Sequence, residues 1–222
     1  VWCLTFDGTN LFAGPISWGG NDGDGVHLTT NNGTHWTYVG SGLPPYTGVS
    51  ALVVSGSNCY AGTYGFTGAR GVYRSTNNGS SWSSAGLSST YVYSLVAIGT
   101  RLFAGTNTGV YLTTNNGTTW MQSGLPAVFV YSFAASGTNL FAGGYGGVFL
   151  STNNGAAWLP VNNGLTNPYV QCLAISGANL FAGTDSGGVF LTTDNGNSWT
   201  QVNTGLTYPT VYSFAVSGIN IF

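Results

Sequence analysis

One nine-residue phrase, LTTNNGTTW at 112–120, recurs through the chain as LTTNNGTHW (28–36), RSTNNGSSW (74–82), LSTNNGAAW (150–158) and LTTDNGNSW (191–199). Its tryptophans, Trp36, Trp82, Trp120, Trp158 and Trp199, lie 46, 38, 38 and 41 residues apart. A turn repeated at a period of about 40 residues restricts the fold to a repeat architecture. Two further markers keep the same phase. LFAG occurs at 11–14, 102–105, 140–143 and 180–183, with CYAG at 59–62. Before each lies an apolar run: VWCLTFDG, VSALVVSG, VYSLVAIG, VYSFAASG, VQCLAISG and VYSFAVSG, starting at residues 1, 49, 92, 130, 170 and 211.

Each marker reads as a strand, four to eight residues rich in Val, Tyr, Phe and Thr between Gly and Asn punctuation. No window sustains a helical period. With strands A (VYSLVAIG), B (LFAGT), C (GVYLTT) and D (TTWMQS), one unit holds four antiparallel strands in about 40 residues, the pattern of a β-propeller blade. The fold class is therefore all-β: a propeller of four-stranded blades, with five full repeats and part of a sixth. The units span about 1–48, 49–91, 92–129, 130–169, 170–210 and 211–222 of a single domain. The last unit breaks off inside strand B, which suggests a portion of a longer chain whose ring has six or more blades. In a closed five-bladed ring that apolar pair would have no sheet to join.

The repeated turn has a physical reading. Asn-Gly admits the positive φ of a tight hairpin. The first residue of the pair (Asn31, Asn77, Asn115, Asn153 or Asp194) can fold its side chain onto backbone amides as an Asx-turn. The hydroxyl two residues earlier (Thr29, Ser75, Thr113, Ser151 or Thr192) adds a bond. Gly33, Gly79, Gly117, Gly155 and Gly196 complete the turn, and each tryptophan is expected to bury its ring between blades.

The pattern [ST]-x-[DN]-x-G-x-x-W resembles the Asp-box, or BNR repeat, of sialidases, sortilin-type receptors and photosystem assembly factors. The matches cover nearly the whole chain, although only Asp194 keeps the family's usual aspartate. The resemblance implies a propeller with the boxes at the blade periphery, remote from the active face. Sialidases would also need an arginine triad and a Tyr/Glu pair. This chain has no Glu, no Arg-Ile-Pro motif, and three arginines on different elements. It is a non-sialidase member of such a family.

Charge narrows function further. Three basic and five acidic residues give a formal net charge of −2 and no basic footprint for nucleic acid. No apolar run approaches the roughly 20 residues of a spanning helix, so membrane insertion is not expected. The first residues lack a signal peptide's basic and apolar regions; they look like the middle of a repeat, which a leader could once have preceded. Aromatics at 14% and hydrophobics at 43% exclude disorder. Cys3, Cys59 and Cys172 are odd in number and lack CxxC spacing, so no disulfide framework, metal site or cofactor is expected. Cys3 and Cys172 read as small packing residues, at the strand A position assigned also to Ser50, Ser94, Ser132 and Ser213. NDGDG (21–25) lacks the full calcium-loop pattern. His27 and His35 are polar positions without a nucleophile nearby. The sequons at Asn32, Asn78 and Asn116 fall out of the repeat.

Variation is concentrated in the B–C loops and in the approaches to strand A, which share one face of a propeller. That face would gather Trp18, Tyr46, Tyr64, Phe66, Tyr91, Phe129, Tyr145, Tyr169 and Tyr208, with Asp22, Asp24 and Asp185 among them. Flat rings beside Asn, Thr and Asp suit sugars, which present C–H patches next to hydroxyls. An inverting glycosidase would need two carboxylates roughly 6.5–9.5 Å apart, and only Asp22, Asp24 and Asp185 are available. The expectation is thus a non-enzyme: an extracellular binding or adhesion propeller for glycans or a cell-surface protein. Two alternatives stand, a self-assembling module of a surface layer or fibre, and the non-catalytic part of a glycoside hydrolase.

Overall fold

The computed structural model describes residues 1–15, 25–65, 70–125 and 127–222, and the chain divides into two compact units: residues 1–107 with 111–121, and residues 108–110 with 122–222. The described residues contain strands and turns and no helix. Five antiparallel sheets have four strands each. They are β1 (Cys3–Phe6), β2 (Leu11–Gly14), β3 (His27–Thr29) and β4 (Thr37–Tyr38); β5 (Gly48–Ser55), β6 (Asn58–Tyr64), β7 (Gly71–Ser75) and β8 (Ser83–Ser84); β9 (Val92–Ile98), β10 (Arg101–Thr106), β11 (Gly109–Thr113) and β12 (Met121–Gln122); β13 (Val130–Ser136), β14 (Asn139–Gly144), β15 (Gly147–Ser151) and β16 (Leu159–Pro160); and β17 (Val170–Ser176), β18 (Asn179–Thr184), β19 (Gly188–Thr192) and β20 (Thr200–Gln201). A hairpin of β21 (Val216–Ser217) and β22 (Asn220–Ile221) follows. Within each sheet, sequence order is spatial order, so every connection is a hairpin.

The second strands are the hydrophobic centre. Phe12, Phe103, Phe141 and the alanine after each are buried. A strand covered on both faces reads as a continuous apolar run rather than an alternating one, which is why LFAG recurs. Its glycine leaves room for the next repeat. A Cβ on Gly14 would lie 2.7 Å from Val49 Cγ1, and one on Gly62 would lie 2.6 Å from Val92 Cγ1. In the second unit, Gly143 meets Val170 and Gly183 meets Val211, both at 2.7 Å. Outer strands β4, β8, β12, β16 and β20 have two residues apiece, all exposed. Edges this short offer little to an incoming strand.

The first strands contain an irregularity that alternation does not reveal. In β5, β13 and β17 the register shifts after the first valine, and β9 shifts against β10 at the same level. The residue after the valine is therefore bulged, as Ser50, Tyr93, Tyr131 and Gln171 are. This corrects the assignment of Ser50: Ala51 pairs with Gly62, as Cys3 pairs with Gly14 and Cys172 with Gly183. Ser50 instead donates its hydroxyl to the carbonyls of Gly62 and Val92. Cys3 and Cys172 make corresponding contacts from thiol to carbonyl, Cys3 with Val49 and Cys172 with Val211, each at 3.5 Å.

The five turns share one bonding scheme. Asn32, Asn78, Asn116, Asn154 and Asn195 have φ between 54° and 59°, and the glycine after each is positive too. Amides of Gly33, Gly79, Gly117, Gly155 and Gly196 donate to the hydroxyls of Thr29, Ser75, Thr113, Ser151 and Thr192 at 2.8–3.0 Å. Each hydroxyl donates in turn to Oδ1 of Asn31, Asn77, Asn115, Asn153 or Asp194. That same oxygen accepts the amide of the residue before the tryptophan at 2.9–3.0 Å.

Trp82, Trp158 and Trp199 are buried, while Trp36 and Trp120 are half-buried. The indole N–H bonds to the preceding repeat: Trp82 to Val39 O, Trp120 to Ala85 O, Trp158 to Ser123 Oγ and Trp199 to Val161 O, at 2.7–2.9 Å. The tail lies beside the fifth sheet as a next inner strand would. Val211 N donates to Thr184 O, and Phe181 meets Phe214 edge-on at 6.5 Å.

Candidate functional site

Tyr145 and Tyr169 come from different repeats. Tyr145 ends the β14–β15 hairpin, and Tyr169 lies on the approach to β17. A single antiparallel bridge joins them, and their rings meet edge to face with centroids 5.0 Å apart at 78°. Both remain about half exposed. Quadrupole geometry favours that arrangement and leaves ring surface open to a ligand.

Backbone bonds lock the pair in place. Tyr145 N donates to Phe129 O at 2.9 Å, Gly146 N to Pro168 O at 3.0 Å, and Asp185 N to Tyr169 O at 2.9 Å. Asn167 clamps both sides, its amide donating to Asp185 O at 2.6 Å and its Oδ1 accepting Tyr169 N at 2.9 Å. The Asp185 carboxylate accepts from the hydroxyls of Thr210 and Ser186, each at 3.3 Å. Ser186 has φ 66°, and its amide donates to Thr210 Oγ1. Hydrogen bonding and charge at Tyr145 hold the Tyr169 phenol above its ordinary value, with burial and the nearby Asp185 charge adding to the rise. Phe129 and Tyr131 lie 6.2 Å apart in the same unit.

In the first unit, Tyr64 meets Tyr91 at 5.0 Å and Tyr93 at 6.0 Å, and Tyr91 and Tyr93 stack at 6.5 Å and 16°. The Arg70 guanidinium lies 4.1 Å from the Tyr91 centroid. Among the expected residues, then, the structure brings Tyr145, Tyr169 and Asp185 together, and places Tyr64 with Tyr91. Tyr46 is exposed with φ 60°, and Tyr208 is exposed. Trp18, Asp22, Asp24 and Phe66 lie outside the described residues. Arg70, Tyr93, Asn167 and Thr210 were not anticipated. Recurrence of Tyr at one position, as Tyr93, Tyr131 and Tyr212, was the available signal for Tyr93. Among the described residues, no cluster of His, Cys, Asp and Glu could hold a metal ion, and no helix is long and apolar enough to cross a membrane.

No protein-family model and no curated protein matches the chain. Solved structures do. An ancestral GH74 enzyme is 19% identical, with TM-score 0.77 over 96% of this chain and 33% of its own. The extracellular domain of BT4673 from B. thetaiotaomicron is 17% identical, with TM-score 0.75 over 97% of this chain and 30% of its own. A GH74 xyloglucanase from Xanthomonas campestris is 14% identical, with TM-score 0.73 over 97% of this chain and 43% of its own. The chain thus spans less than half the length of each. These likenesses overturn the expectation of a non-enzyme, because they point to a glycoside hydrolase family rather than away from one. That expectation rested on counting carboxylates within a stretch as short as this one, where a longer hydrolase need not place both. At these identities the likeness carries the fold alone, and the fold is that of a β-propeller.

Proposed function

We propose that the chain is a glycan-binding stretch of a glycoside hydrolase-type propeller built from Asp-box repeats and working outside the cell. The observation that carries this is the exposed Tyr145–Tyr169 pair beside the Asp185 carboxylate. A sugar ring laid on the pair would bury its C–H face, while Asp185 and the Asn167 clamp meet its hydroxyls. Such a surface, apolar with a few fixed polar groups, is what small-ligand recognition generally uses. An extracellular setting is supported by a Thr-, Ser- and Asn-rich surface almost without charge, and by the extracellular domain among the similar structures.

Calorimetric titration with xyloglucan oligosaccharides, the class named for one similar enzyme, tests the binding. Tyr169→Ala should weaken binding by about tenfold or more, since each aromatic contact contributes on the order of 1 kcal/mol beyond area burial. Melting temperature should stay within a few degrees. Unchanged affinity in both Tyr145→Ala and Tyr169→Ala would remove the site. Release of reducing ends from the same polysaccharide reports whether this stretch also carries hydrolysis.

A second reading, self-assembly into a surface layer or fibre, is favoured by a composition almost without charge, which sets little repulsion against association. Sedimentation across a concentration series separates the two, since a purely glycan-binding chain stays monomeric without ligand.

A further inference from the structure

The first unit holds a second set of groups, which the tyrosine–aspartate site does not use. We propose that Arg70, with Tyr64, Tyr91 and Tyr93, forms a separate subsite for an acidic glycan, one whose sugars carry a carboxylate. This inference rests on the glycan-binding reading above, and it concerns a different place on the chain and a different ligand charge.

Among the described residues, Arg70 is the arginine held over an aromatic ring. Arg74 lies within β7 and gives its Nε to Asn58 Oδ1 at 3.0 Å, and Arg101 opens β10. Arg70 stands at the end of the β6–β7 connection, half-buried, with its guanidinium 4.1 Å from the Tyr91 centroid. Its hydrogen bond among the described residues runs from Nε to Gly65 O at 3.2 Å. The ring contact and the Gly65 bond together hold the guanidinium in place. What is left is the end-on pair of terminal amines, the edge that receives a carboxylate through two parallel hydrogen bonds.

Because Arg70 covers a face of Tyr91, that ring holds the cation rather than a sugar. Tyr64 and Tyr93 flank it at 5.0 and 6.5 Å and are half-buried. Tyr93 is the bulged residue of β9, and bulges re-aim side chains near functional sites. A carboxylated sugar could place its acid on the guanidinium edge and its C–H patch on an adjacent ring. The cation is already ordered, so little side-chain entropy remains to be lost on binding. In a chain with three basic residues, a half-buried guanidinium without a carboxylate bonded to it among the described residues is a costly placement that an anionic ligand would offset.

The experiment is calorimetric titration of the full chain with a galacturonic-acid oligomer and with a neutral xyloglucan oligomer. Arg70→Gln should weaken the acidic oligomer by about tenfold or more and leave the neutral one unchanged. Arg70→Lys should recover little, because a point charge cannot make the paired bond. Wild-type affinity for the acidic oligomer should fall as salt rises. Equal uronate affinity in wild type and Arg70→Gln would overturn the proposal, as would full competition by inorganic phosphate, which would mark a generic anion site. If the neutral oligomer binds and the acidic one does not, this subsite is refuted and the first site stands. If neither binds, both fall. Should Arg70→Gln fail to fold, Arg70→Lys and the wild-type salt series decide the matter.

Discussion

Replacing Trp199 with alanine separates a tryptophan clamped between two sheets from one that merely sits on a sheet. Trp199 is 5% exposed, belongs to the core of the second unit, and donates its indole N–H to Val161 O at 2.7 Å. A tryptophan buries about 200 Å², which at about 25 cal/mol/Å² gives an upper bound of about 5 kcal/mol. Loss of the indole bond adds about 1 kcal/mol if the carbonyl stays dry. Measured truncations of large buried aromatics cost about 3–5 kcal/mol, because partial collapse recovers some contact. The expected loss for Trp199→Ala is therefore about 4 kcal/mol. Trp36 is half-buried and opens less of a hole when truncated; Trp36→Ala should cost about 2 kcal/mol or less. Urea titration followed by circular dichroism measures both, with an unchanged slope required for the comparison. Equal losses in the two variants, or a loss below about 1 kcal/mol at Trp199, would refute the view that the turn tryptophans tie one repeat to the preceding one.

Two further outcomes follow from ionisation and burial. Hydrogen bonds from Ser198 and Thr192 hold the Asp194 carboxyl down from its ordinary 3.8 to about 2, so its contribution to stability is complete above about pH 4 and is lost as pH falls through about 2. Wild-type melting temperature should therefore drop more steeply than that of Asp194→Asn between pH 4 and pH 2; parallel curves would contradict the assignment. Burial pushes the thiols of Cys3 and Cys172 up to about 12 and that of Cys59 to about 11. At pH 8 a disulfide reagent should titrate three thiols in urea and none in the native chain, and one stoichiometric native reaction would show a thiol in the wrong place.

The sheets were readable because each strand type has its own physical demand. Double-sided burial writes LFAG, positive φ writes Asn-Gly, and an unpaired outer edge permits only two residues. The bulge was not readable. An extra residue in a strand leaves composition unchanged, and only pairing with Gly62 or Gly105 reveals it. Ser50 and Tyr93 share the bulged position, so a hydroxyl in one repeat and a ring in another stand where the strand leaves its regular pairing. Site chemistry was readable as residue type and loop position, which put Tyr145, Tyr169 and Asp185 on the same list. Their juxtaposition was not, since it depends on a bridge between connections 24 residues apart. Nor could spacing tell that Trp120 is less buried than Trp199 despite sharing its motif.

The distribution of charge connects frame and site. In the repeated turns one hydroxyl accepts a glycine amide and donates to an Asn or Asp oxygen, which accepts a further amide. In four of the five turns the side chain that accepts these bonds is a neutral Asn, and only the fifth uses a carboxylate, Asp194. A frame built this way has little need of ion pairs, whose exposed forms add at most about 1 kcal/mol each. Of the chain's three arginines and five aspartates, four nevertheless lie in B–C loops: Asp22, Asp24, Arg70 and Asp185. Loops that vary between repeats are not required by the frame, and stability gives no reason to concentrate charge in them. Arg70 and Asp185 each sit against a tyrosine on such a loop, one cationic and one anionic. The frame repeats because its turns are interchangeable, whereas these two loops differ in the sign of what they offer.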